Sequence, residues 1–172
     1  MTVLIKILKI IDFMSETAGA VGKWFALLLV LVGSYDAISR HFFNAPTIWS
    51  YDVLCMSGGI LYILGASYNY LHNAHTRVDI IYGALSRKKQ AWIDIVCSIF
   101  LFYPLMIVLF LQAFKWMVKA WKINEVMFTS FWYPPAAPYR TIVALGIFLL
   151  IMQGIARLIR DVYFVIRGEA ID

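Results

Sequence analysis

The run His72-Asn73-Ala74-His75-Thr76-Arg77-Val78-Asp79 holds the residues of this chain whose types and spacing come closest to chemistry. Two imidazoles three residues apart beside a carboxylate could begin a metal site, but a closed site takes four ligands and a catalytic one takes three. No third or fourth ligand is spelled nearby. The same histidines could serve a haem only if a partner imidazole stood opposite them at the same depth. His41, the one remaining histidine, falls at the far end of an apolar helix, about 30 Å away if that helix crosses a bilayer. The run therefore reads as a polar connector between two helices, with the role of His72 and His75 left open.

A second polar group surrounds His41. Asp36 and Arg40 stand four residues apart on one helix face, acid before base, where they can pair and where Arg40 meets the negative end of the helix dipole. Asn44 and Thr47 are suited to capping the helix that follows, and Pro46 to starting it. Trp49 falls at interface depth, and Asp52 lies within the first turns of the next helix, where it could pair with Arg40 or with a basic residue on a partner. These groups lack the marks of catalysis. The sequence contains no Gly-rich phosphate loop, no H-E-x-x-H, no nucleophile elbow and no pair of carboxylates at one membrane depth. The chain is accordingly expected not to be an enzyme and to carry no cofactor or metal of its own.

The elements that carry these residues are set by composition. Of 172 residues, 62% are hydrophobic and 16% aromatic. A water-soluble domain of that length has too little interior to hide so much apolar surface. The expected fold is an all-α membrane protein, a single membrane domain over 1–172. An amphipathic interfacial helix over 1–17 precedes four transmembrane helices near 19–39, 53–72, 92–116 and 140–160. Residues 1–17 place apolar side chains at helical spacing on one side, with Lys6, Lys9, Asp12 and Glu16 interrupting the other. Asp12 and Glu16 break any signal-peptide core. Val53–Leu71 and Ile95–Phe114 are uncharged runs long enough to span. Lys23 and Asp36 in the first helix, and Arg157 in the fourth, reach water by snorkelling.

Small residues on the second helix, Gly58 and Gly65 among them on one face, would let another helix approach closely, in this subunit or a partner. Pro104 should kink the third helix. The prolines of Phe131–Tyr139 exclude regular helix and mark an aromatic outside loop. Cys55 and Cys97, on different helices, read as small packing residues. With both termini inside, the Lys and Arg residues on the inner side outnumber those outside by two to one, which favours an N-in, C-in topology. The net charge of +5 is then a matter of topology and lipid headgroups, with no basic stripe for nucleic acid.

With those residues in view, the chain resembles the small integral-membrane subunit, of DctQ type, of tripartite ATP-independent periplasmic (TRAP) transporters. The resemblance rests on Arg40-His41-Phe42-Phe43-Asn44 followed by Trp49, on Asp52, and on His75-x-Arg77-Val78-Asp79 after the second helix. It covers nearly the whole length. Tyr51-Asp52 departs from the glutamates that the pattern leads one to expect. The likeness implies a non-catalytic accessory subunit of a sodium-coupled secondary transporter for organic acids, in a bacterial or archaeal cytoplasmic (inner) membrane. Its implied partners are a large membrane subunit, which holds sodium and substrate, a periplasmic substrate-binding protein, and membrane lipids. It also makes Arg40, Asn44, Trp49, Asp52, Gly58, Gly65, His75, Arg77 and Asp79 candidates for the subunit interface or its support. The alternative reading is the membrane anchor of a redox complex, using His72 and His75 toward haem or quinone.

Overall fold

The structure, a computed structural model, describes residues 2–72 and 86–168. These are helical almost throughout, and no strand occurs among them beyond one isolated bridge between Val126 and Pro135. The helices are α1 (Thr2–Phe43), α2 (Ser50–Leu71), α3 (Arg87–Cys97), α4 (Tyr103–Ile123) and α5 (Ala136–Arg167). A π-helical turn, Ser98–Phe102, joins α3 to α4 in one rod.

The segments 1–17 and 19–39, expected as separate elements, are joined: residues 2–43 form one uninterrupted helix of 42 residues. No proline interrupts the sequence there, and the face turned inward stays small or apolar across the proposed break, with Leu8, Ser15 and Ala18 all buried. At 1.5 Å per residue α1 is about 63 Å long, twice the hydrocarbon thickness. Pro104 acts through the turn before it. Its ring would strike the carbonyl four residues earlier, and the wider π-helical turn ending at Phe102 relieves that clash without ending the rod. At the start of α5, Pro138 sits in the first turn, where no backbone N–H has a helical partner to lose. The helix therefore begins at Ala136, a few residues earlier than the sequence indicated.

Among the described residues, three helices are long and apolar enough to cross a membrane: Ile5–Phe43, Arg87–Ile123 and Ala136–Arg167. The 22-residue α2 is not among them. Its Ser57, Gly58, Gly59, Gly65, Ser67 and Asn69 dilute the hydropathy of a segment that the sequence presented as a clear span. Helix α5 is the hub, touching every other helix, and 39% of its most apolar stretch is buried against 11% for α1 and 6% for the α3–α4 rod.

Glycines set the spacing of this packing. A Cβ at Gly19 would strike the Tyr68 ring, and one at Gly22 would touch Leu64 at 3.6 Å, so α1 and α2 approach through glycines of α1. A Cβ at Gly146 would fall 2.7 Å from Ile63, and one at Gly154 2.6 Å from Phe102, so α5 uses glycine toward both α2 and the π-helical turn. The core between α1, α2 and α5 is Ala18, Ile60 and Leu64, flanked by Phe25, Ile63 and Leu149.

Candidate subunit interface

The polar side chains collect at the two ends of the helices. At one end, the C-terminus of α1 and the N-terminus of α2 are tied through Asp36. Its carboxylate accepts from Arg40 Nε at 2.8 Å, from Ser50 Oγ at 2.7 Å and from the Thr47 hydroxyl. Asn44 takes a left-handed conformation, φ 47°, which among non-glycine residues Asn tolerates best, and so ends α1. Neither Asn44 nor Thr47 caps α2: Asn44 closes the helix before it, and the Thr47 side chain is taken by Asp36 and Ser50. Trp49 occupies the N-cap position of α2 and stacks on Tyr35 with centroids 5.9 Å apart, joining the two helices where the chain turns.

Asp52 is only 1% exposed. The expected pairing with Arg40 does not form, because Arg40 turns back to its own helix and Asp52 faces the α4–α5 loop. There Oδ2 accepts from the Ser130 hydroxyl, while Oδ1 has no partner among the described residues. The loop itself is anchored twice. Met127 N and Ala136 N donate to Pro134 O and Glu125 O at 2.8 Å each, closing its neck. Arg140 then grips Glu125 with both guanidinium arms, at 2.6 and 2.8 Å, and lies 5.8 Å from the Trp116 ring. Phe128 and Phe131 project from this loop, 80% and 83% exposed.

At the opposite end, Gln153 of α5 is 1% exposed and joins α5 to α1. Its Oε1 accepts from Ser15 Oγ at 2.9 Å and its Nε2 donates to Asp12 Oδ1 at 3.0 Å, while Arg160 clasps the same Asp12 carboxylate. Beside it, Arg157 lies 3.8 Å from both Asp94 and Asp161 and 5.5 Å from the Tyr70 ring. His72 Nε2 is 3.0 Å from Glu16 Oε2. These arrangements were not drawn from the sequence. By spacing alone Asp12 and Glu16 read as the watery side of an amphipathic helix, and the sequence signal for the clasp is a lone glutamine, Gln153, in an apolar run.

Among the described residues, Gly58 and Gly65 do not mediate helix contacts: a Cβ at either would meet nothing within 4 Å. The small residue of α2 that packs is Gly59, where a Cβ would strike the Tyr139 hydroxyl. Cys55 and Cys97 are exposed and not packed inside, as the sequence had them. Among the candidates, then, Arg40, Asn44, Trp49 and Asp52 gather at one end, and Gly58 and Gly65 lie along an open face of α2. His75, Arg77 and Asp79 lie outside the described residues. Among the described residues, no three His, Cys, Asp or Glu side chains come together as a metal site.

What this arrangement can do is hold helices in register at both ends and present apolar surface between. The family of tripartite ATP-independent periplasmic transporters, DctQ component, matches residues 29–163, more than three quarters of the chain. The chain belongs to the DctQ family. Its matched region runs from the middle of α1 to near the end of α5, so it takes in the Asp36 cluster, the α4–α5 loop and Gln153. No curated protein matches the chain. As a DctQ component it is a multi-pass membrane protein and the small subunit of a TRAP transporter. Membership in the DctQ family gives no support to a redox-anchor role for His72.

Proposed function

We propose that the DctQ chain braces the stationary part of a large membrane subunit in a sodium-coupled TRAP transporter of the inner membrane, which takes up organic acids delivered by a periplasmic binding protein. Sodium and substrate bind the large subunit, and neither touches this chain. The observation that carries the reading is the placement of charge. The ion pairs Asp36–Arg40 and Glu125–Arg140 sit at one end, Asp12–Arg160 and Asp94–Arg157 at the other. A protein that moved an ion or an acid by itself would keep an enclosed ionisable group near the bilayer midplane, whereas Lys23, which lies between these two ends on α1, is exposed. In this reading α2 is the fourth span, sheltered from lipid by its neighbours and partner, with both termini cytoplasmic.

The test is uptake of radiolabelled organic acids by proteoliposomes under an imposed sodium gradient. Vesicles holding the large subunit, the binding protein and this chain should accumulate substrate, and vesicles holding this chain alone should accumulate none. Equal uptake without this chain, or uptake by this chain alone at the rate of the complex, would refute the role. Cysteine labelling from either side of sealed vesicles, with tags at the two termini, checks the topology.

A further inference from the structure

A groove of about 430 Å³ opens between α4 and α5 beneath the neck of the α4–α5 loop. Its floor is Leu109, Val143 and Ile147, and its upper rim is Trp116 and Arg140, with Gln112 between them. Gln112 is exposed, and its amide makes no hydrogen bond among the described residues. A polar amide facing the membrane from a helix surface is costly to leave unpaired, so its surroundings supply a partner. The depth of the amide indicates which. Lys115, one turn away, is charged and exposed and so lies among headgroups, and Gln112 is three residues deeper, about 4.5 Å along the axis. That is the level at which glycerolipids carry their ester carbonyls.

We propose that this groove binds one phospholipid of the outer leaflet, with the Gln112 amide donating to an ester carbonyl and an acyl chain lying on Leu109, Val143 and Ile147. The three levels of the groove match the three parts of such a lipid. Lys119 follows Trp116 at helical spacing and meets the phosphate. Arg140 already gives its charge to Glu125, so it shapes the rim without drawing a second anion. The site requires that the chain spans a membrane and is independent of what the transporter carries.

The experiment compares two phosphatidylethanolamines with the same tails, one ester-linked and one ether-linked, titrated onto the purified full chain and read by native mass spectrometry. The ether lipid lacks the carbonyl. Wild type should hold the ester form about two- to tenfold more tightly, the value of one net hydrogen bond. Gln112→Leu, a change at an exposed position, should bring that ratio to one. Val143→Trp, which fills the floor, should weaken both lipids alike. Equal binding of the two lipids by wild type, or an unchanged preference in Gln112→Leu, would overturn the proposal. So would photocrosslinking from position 113 that captures the large subunit and no lipid in the assembled complex, since a partner helix would then fill the groove.

Discussion

The contact between Ser15 and Gln153 gives the sharpest test of how α1 is held to α5. Both side chains are buried, Ser15 at 0% and Gln153 at 1% exposure, and their bond is 2.9 Å long. Gln153→Leu removes the acceptor of the Ser15 hydroxyl and one of the donors to Asp12. Ser15→Ala leaves Gln153 Oε1 without its donor. Each single change orphans a buried polar group, at about 1–3 kcal/mol. The double change removes both partners and orphans neither in that bond, so it should cost less than the sum of the singles. The Ser15 hydroxyl retains one escape, a bond to the carbonyl one turn back in α1, which lowers the coupling. Hydrogen bonds between membrane helices average about 0.6 kcal/mol in such cycles and reach about 1.7. Because Gln153 also serves a carboxylate that Arg160 clasps, the coupling here should lie in the upper half of that range, about 1–1.7 kcal/mol.

The assay is reversible unfolding of the four variants in bicelles, with hydrogen exchange of the first turns of α1 as the local readout. Exchange should rise in the single variants at Leu8 to Ser15 before it rises at Leu64, because the lost bonds hold only that part of α1. Additive losses would show that Ser15 and Gln153 are neighbours without being coupled. Uniform exchange along α1 would show that the clasp does not govern its docking.

Other substitutions probe other contacts. Gly146→Ala puts a methyl group 2.7 Å from Ile63 and should destabilise the chain by about 1–3 kcal/mol, whereas Gly58→Leu, which meets nothing, should change its stability by less than about 0.5 kcal/mol; unfolding midpoints in one detergent separate the two. If Gly58→Leu nonetheless abolishes co-purification with the large subunit, the open face of α2 is where that subunit lies. Asp36→Asn weakens the acceptor shared by Arg40, Thr47 and Ser50 and should loosen the 44–49 turn; proteolysis there should quicken, and an unchanged rate would count against the cluster as its fastening. Arg140→Lys keeps the charge and loses the two-armed grip on Glu125, so loop cleavage near Phe128 should rise with a stability loss of about 1 kcal/mol or less, the pair being partly exposed.

The helices were legible because apolar runs of membrane length have no other use. The turn at Asn44 to Trp49 and the loop before α5 were legible because Pro and Asn restrict the backbone locally. What was not legible has one cause: choice of partner across distance. Asp36, Asp52 and Arg40 lie close in sequence, and local spacing cannot say that Asp52 prefers Ser130, which is 78 positions away. Gly58, Gly59 and Gly65 read alike as small residues, yet the face that packs is set by the direction from which Tyr139 arrives. The join between 1–17 and 19–39 was missed for a related reason. A charged face suggests water when the neighbour is unknown, but Asp12 faces Gln153 and Arg160 of α5.

The two ends of the molecule are fastened by different means, and the difference bears on the family match. At the Asp36 end the bonds run between a helix terminus, the turn after it and the loop of a neighbour, all within residues 29–163. At the Asp12 end the bonds run between a helix inside the match and an extension outside it: Gln153 and Arg160 lie within residues 29–163, while Asp12 and Ser15 do not. Yet Leu8 and Ser15, in that extension, are among the most deeply buried side chains of the chain. An extension docks where the body offers unsatisfied groups, and Gln153 and Arg160 would be such groups without it. The constraint on the extension is therefore narrow: a small hydroxyl, an acid one turn earlier and an apolar residue one further turn back, facing Gln153, Arg160 and Ala156 in turn. Ile5 and Ile11 pack against the same Leu8–Ala156 cluster, so the segment outside the matched residues is nonetheless part of the fold.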